Sequence, residues 1–132
     1  MNDGLNDNSS TDPFRIEVDE SSGTVRVHME GSWDIATARM YVSALKQSQA
    51  RIREKFGFVK IVTDARNMAI QPQEVTAALN EAQYGAADRL AVIVSTALAK
   101  VSTRRHLENT FGESFSWQIF ASEAAAELWL QA

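Results

Sequence analysis

The sequence predicts a single α/β domain of order ββαβαβαβα, with a mostly parallel sheet and an antiparallel hairpin at its start. Three observations carry this. Phe14–Asp19 and Thr24–Glu30 alternate apolar and polar residues on either side of a glycine-containing turn. Phe58–Asp64 and Leu90–Val94 are apolar runs that read as buried strands. Helical periodicities precede and separate those runs, as crossover helices of a parallel sheet do.

Residues 1–12 are rich in Asn, Asp, Ser and Gly and carry Leu5 as their one aliphatic side chain after Met1. Such a segment does not repay its ordering entropy, so a disordered tail is expected, with the domain spanning 13–132. In the first hairpin Phe14, Ile16, Val18, Val25, Val27 and Met29 face inward. Arg15, Glu17, Arg26, His28 and Glu30 face outward, and Gly23 suits the turn. Asp34 is placed to cap a long helix on the stripe Ile35, Ala38, Val42, Leu45, Ile52 and Phe56, with Gln49 filling its one polar slot and Gly57 as its stop. After the strand Phe58–Asp64, Asn67–Gln71 reads as loop. Pro72 then opens a helix on Val75, Ala78, Leu79 and Ala82 that ends near Gly85. Asp88-Arg89 reads as a strand entry. Helix three spans Leu98–Phe111, and the strand Phe115–Phe120 follows. The last helix, Glu123–Leu130, is capped by Ser122 and is expected to pack through Ala125, Leu128 and Trp129.

Composition narrows the function classes. The 132 residues contain no cysteine, which removes disulfides, thiolate metal sites and cysteine nucleophiles. Two histidines, His28 and His106, are too few for a histidine metal cluster, and no cofactor is expected. A net charge of −4 argues against nucleic acid. No run is long enough to span a membrane, and the polar start does not read as a signal peptide, so a cytoplasmic protein is expected. No nucleophile–histidine–acid set can be assembled, and the chain is not expected to be an enzyme. His28 reads as a cross-strand partner of its charged neighbours, and Arg105 and His106 as a solvated face. The tryptophans read as core or interface anchors, with Trp33 alternatively walling a pocket.

Taken together, several features make the chain resemble the STAS and CRAL-TRIO superfold, and within it the SpoIIAA-like family. They are the hairpin ending in Gly31-Ser32-Trp33, the long helix after it, the strand end Ile61-Val62-Thr63-Asp64-Ala65-Arg66, Leu90-Ala91-Val92-Ile93-Val94, and the closing Phe120, Ala125, Trp129 and Leu130. The resemblance implies a compact α/β domain that binds protein partners or small lipids and often dimerises. Anti-anti-sigma members of the STAS family carry a phosphorylated serine in an Asp-Ser-Ser-Gly-type turn. The equivalent segment here, Met68-Ala69-Ile70-Gln71-Pro72-Gln73-Glu74, has no hydroxyl before Thr76, so a kinase-operated switch is not expected.

Two roles fit the polar residues at the strand ends. Asp64, Arg66, Ser95 and Thr96 lie where open α/β sheets gather ligands, and could build a small polar site. Alternatively Asp64 caps its loop and Ser95 or Thr96 caps helix three. Arg104 falls between Ala97, Val101, Leu107 and Phe111 on a helical wheel, with Glu108 one turn on. It either offers its guanidinium to an anionic ligand or snorkels. The first reading of function is a non-enzymatic regulatory module acting through protein contacts. The second is a small-molecule or lipid-binding domain of CRAL-TRIO character; an enzyme using Asp64 and Arg104 is the third. With all helices on one face, Val62 and the neighbours of Ile93 leave an apolar strip on the other. A homodimer, or a helix crossing over, would cover it.

The tail reading has a direct check. A truncation starting at Pro13 is expected to melt within a few degrees of the full chain, because the removed residues can bury almost nothing. A drop of about ten degrees in a calorimetric scan, more than 1 kcal/mol at this size, would show that the tail docks.

Overall fold

The computed structural model describes residues 12–132, so the expected tail lies almost wholly outside the described residues. Chain order runs β1 (Phe14–Asp19), β2 (Thr24–Gly31), α1 (Ile35–Phe56), β3 (Lys60–Met68), α2 (Gln73–Leu79), β4 (Arg89–Ile93), α3 (Ala97–Thr110), β5 (Ser116–Phe120) and α4 (Glu123–Gln131). The strands lie side by side in that same order. β1 is antiparallel to β2, and every other pair is parallel.

The hairpin register is the one that alternation predicts: Phe14 opposite Met29, Ile16 opposite Val27, Val18 opposite Val25. Gly23 turns the chain at φ +71°, and a Cβ there would sit 3.2 Å from the Phe56 ring that packs over the turn. Phe14, Trp33 and Tyr41 meet with centroids 5.4–5.8 Å apart, which makes Trp33 a core residue. Its indole Nε1 donates to the Glu30 carbonyl at 2.9 Å. Asp34 caps α1 by accepting from the Thr37 N–H at 2.8 Å, and Gly57 closes it at φ +82°. Ala38, Val42, Leu45, Gln49 and Ile52 are buried as expected, joined by Tyr41; Ile35, at the first turn, is exposed.

α1, α2 and α3 pack on one face, over a core that runs from Val25 and Val27 through Ile61 and Val92 to Ile119. Crossovers of one hand that all step in one direction require this. The last helix follows no such rule, because no later strand fixes its side. α4 crosses to the other face, where Ala126 and Leu130 bury Val62, Ala91 and Ile93. The apolar strip that invited a second copy is therefore filled from within the chain.

Four expectations are corrected. β3 does not end at Asp64 but runs to Met68. A register shift between His28 and Glu30 lets β2 keep pairing, with Glu30 opposite Asn67 and Gly31 opposite Met68. α2 stops at Leu79, well short of Gly85. α4 packs through Ala126 and Leu130, with Trp129 half-buried, while Ala125 and Leu128 are exposed. That rotation brings Glu123 and Glu127, one turn apart, onto the sheet. α3 is also turned from its expected phase. Leu107 is buried, Ala99, Thr103 and His106 are half-buried, and Leu98, Val101 and Arg104 are exposed.

One buried carboxylate ties the amino end of the sheet together. Asp88, only 1% exposed, accepts from the Val59 N–H at 2.9 Å, the Gly85 N–H at 2.8 Å and both terminal nitrogens of Arg53 at 2.9–3.1 Å. Asp88→Ala strands two backbone donors and Arg53 at once. A loss of about 3 kcal/mol in unfolding free energy is expected from urea titration. Arg53→Ala leaves both backbone bonds in place but takes the countercharge from a buried carboxylate, so a loss of similar size is expected; an unchanged stability would mean that the backbone bonds alone are the anchor.

Candidate functional site

Strand parity sets the floor of the site. Arg26 lies beside Val62 and His28 beside Asp64, on the face that α4 covers. Arg66, two residues past Asp64, points the same way. α4 spreads over β3, β4 and β5, so the charged outer residues of β1 and β2 stay open beside it. The result is a groove of about 640 Å³ lined by Arg15, Glu17, Arg26, His28, Asp64 and Arg66, with Ser95 at the end of β4 and Glu123 and Glu127 from α4.

Two charge networks cross this groove. In the first, Arg66 wraps back on Asp64: Nε donates at 2.9 Å, Nη2 at 2.7 Å and the backbone N–H at 3.2 Å. Its Nη2 also reaches Glu123 at 3.0 Å. His28 stands between Glu30, 3.1 Å from Nε2, and Asp64, 3.6 Å from Nδ1. In the second, Arg26 makes a bidentate pair with Glu127 at 2.8 and 2.9 Å and touches Asp19 at 3.3 Å. The Arg66 guanidinium holds Asp64 below its ordinary range, with partial burial acting the other way. Arg26 does the same to Glu127. Both carboxylates are thus kept ionised.

The site residues predicted from sequence divide here. Asp64, Arg66 and Ser95 meet in the groove. Asp64 takes both of its suggested roles, since it caps the chain at Arg66 and faces the groove. Thr96 is the N-cap of α3, its Oγ1 accepting from the Ala99 N–H at 3.0 Å. Arg104 is exposed on α3, across the sheet from the groove, and takes no part in it. Alternation alone puts Arg26 and His28 on the face of Asp64, yet their joint role with Glu123 and Glu127 went unread. His106 is likewise no solvated residue: it is half-buried, and burial lowers its pKa.

No protein-family model matches this chain, and no curated protein matches it. Among solved structures, the chain is similar to an uncharacterised protein of the DUF3478 family, described as having a SpoIIAA-like fold, from Shewanella loihica PV-4. The superposition has a TM-score of 0.64 at 15% identity and covers 89% of this chain and 91% of that one. The fold is SpoIIAA-like. The likeness is one of architecture and extends over most of both chains.

The groove also fixes how α4 responds to pH. Glu127 is held below its ordinary value near 4.5, so its pair with Arg26 contributes above that value and is lost as pH falls through the lowered one. Glu127→Gln should cost about 1 kcal/mol at neutral pH, the scale of a partly exposed ion pair. The gap between variant and parent should close in acid. Urea titrations at pH 7 and at a pH well below 4 test this; a gap that persists unchanged would show that charge is not what holds the helix.

Proposed function

We propose that this chain is a non-enzymatic binding module of the SpoIIAA-like type, acting through protein contacts at the carboxyl end of its parallel strands. The observation that carries the reading is the presentation of Ile70. This side chain is 96% exposed on the β3–α2 connection, and the loop beneath it is built to hold it there. Gln71 accepts from the Trp33 N–H at 2.8 Å and donates to the carbonyls of Gly31 and Ala69, both at 2.8 Å. The Ala69 N–H adds a bond to the Gly31 carbonyl at 3.2 Å. A large aliphatic side chain fixed in water by four hydrogen bonds gains nothing for folding. It suits a preorganised contact, which reduces the ordering cost of association.

Other features of the same end agree. Ile35, at the first turn of α1, is partly exposed and Leu98, at the first turn of α3, is largely so. Parallel strands β2, β3 and β4 put both helix starts and the Ile70 loop at one end of the sheet. In anti-anti-sigma members of the STAS family, the equivalent segment carries the phosphorylated serine. The segment here has no hydroxyl before Thr76 and presents Ile70, which supports contact by apolar burial, independent of phosphorylation. The ionised, arginine-paired carboxylates of the groove support a binding role over proton-transfer chemistry.

The volume of the groove favours a second reading, a small ligand in the groove. About 640 Å³ lies within the usual range of ligand sites. Its mostly charged lining suits a polar molecule better than an acyl chain.

A photo-crosslinking amino acid at position 70, in the cells from which the chain derives, tests the first reading. A discrete protein adduct is expected there, with none from the same group at Glu54, which is exposed near the opposite end of the sheet. Equal labelling at both positions, or no adduct at 70, overturns the proposal.

A further inference from the structure

The two edges of the sheet are finished differently. β1 carries the usual guards of an exposed edge: Pro13 stands before it, and Arg15, Glu17 and Asp19 punctuate it. β5 carries none of these. From Ser114 to Ser122 the sequence has no charged residue and no proline. The strand pairs with β4 along its whole length without a bulge, and no strand lies beyond it among the described residues.

Backbone parity shows what the open side offers. The Val94 N–H donates to the Phe120 carbonyl at 3.0 Å, so the polar groups of Phe120 point toward β4. Alternation turns those of Gln118 the same way and those of Trp117 and Ile119 outward. Their N–H groups and carbonyls stand in a row along the edge, and no loop among the described residues pairs with them. A groove of about 670 Å³ opens beside this row. Trp117 and Trp129, both half-buried, line it together with Phe115. The Trp117 indole is fixed in place, its Nε1 donating to the Gly112 carbonyl at 2.8 Å. Glu113 is the one charged residue in the lining, whereas the groove over β1 and β2 is lined mostly by charge.

We propose that β5 accepts an extended, uncharged segment of a partner protein as a further strand. Successive apolar side chains of that segment pack on Trp117 at one face of the sheet and on Trp129 at the other. A row of alternating donors and acceptors is met in full by another extended backbone. The nearly neutral lining selects a neutral segment, since a charge placed there would lose water without gaining a partner. A second copy of the chain is the poorer occupant. Two five-residue edges meet along a line of about 17 Å, and stable association of folded domains buries roughly 1,200 Å² or more. The edge side chains of a copy are also committed to its own domain: Ile119 is buried and Trp117 is tied to Gly112. A flexible segment has its side chains free to enter the groove. This surface is distinct from the Ile70 loop, so the inference goes beyond the contact proposed there and does not depend on it.

The test is a backbone-amide NMR titration of the full chain with a capped probe peptide of about eight residues, the length of an ordinary strand. It alternates valine and threonine and carries two adjacent phenylalanines at its centre. A control of the same sequence is N-methylated at the two phenylalanines. Adjacent residues point their N–H groups to opposite edges, so neither edge of the control can pair fully. Shifts along 115–120 are expected with the probe. At saturation the Trp117 and Ile119 amides should exchange with solvent at least about ten-fold more slowly. The control should bind about ten-fold more weakly, the scale of one or two lost hydrogen bonds. Gln118→Lys, at an exposed position, sets on this edge the kind of charge that guards β1, and should also weaken the probe. Equal binding of probe and control would show that the groove takes side chains without adding a strand, which overturns the proposal. No shift on β5 at millimolar peptide overturns it too. Protection of Trp117 and Ile119 that rises with protein concentration, and that the probe does not change, would give the edge to a second copy and likewise overturn it. Shifts confined to the residues around Ile70 would leave that contact standing while removing this one.

Discussion

The buried carboxylate of Asp88 is the constraint on which the geometry of the sheet depends. It joins the connection before β4 to the last turn of α1 and the entry to β3, 35 and 29 residues earlier in the chain. Isolating a carboxylate from water is expensive, and only a full set of donors makes it tolerable. Two backbone N–H groups and a forked guanidinium supply that set. What such a knot contributes is definition more than net stability. With β3 and β4 fixed at their amino ends, the loops leaving their carboxyl ends start from determined positions. The Gln71 latch then holds the Ile70 loop against the β2–α1 corner.

The two faces of the sheet are held in different ways. Three helices cover one face with a large, almost wholly apolar core. A single short helix covers part of the other, with two buried side chains and a fringe of charge. Arg89 extends that fringe by stacking on the Trp129 ring at 4.3 Å, and Lys60 by donating to Gln131 at 2.9 Å. The groove is a result of this economy. α4 covers the central strands, and what it leaves bare over β1 and β2 must be polar. The alternation of those strands already says so. The lining charges therefore serve first to seat the helix, and their availability to a ligand is limited by that duty.

The sequence made legible what local chemistry decides. Hairpin parity, the Asp34 and Ser122 caps and the Gly57 stop are each set within a few residues, and they stand in the structure. Helix phase is different. α3 and α4 are short, and their wheels admit more than one inward side; the choice depends on partners far away in the chain. Glu127 of α4 is turned inward by Arg26, which nothing near Glu127 announces. The extension of β3 past Asp64 depends on an irregularity in β2, so the composition around Asn67, which reads as loop, gave the wrong boundary. Asp64, Arg66 and Ser95 were found because they lie at strand ends on one face. Arg104 was misplaced because its helix turns the other way.

A sheet whose spatial order equals its chain order also has a particular folding logic. Each new strand pairs with the one just completed, so loops of modest length are closed one after another, and the entropy of closure grows only slowly with their length. Short sequence separation between paired strands favours rapid assembly. α4 is the exception. Its bond to β2 spans 101 residues, and its seat exists only once β3 and β4 lie together. The helix is therefore the natural last piece to arrive and the first to leave. Transient opening of this domain would begin by baring Val62, Ala91 and Ile93 while the three-helix face remained intact.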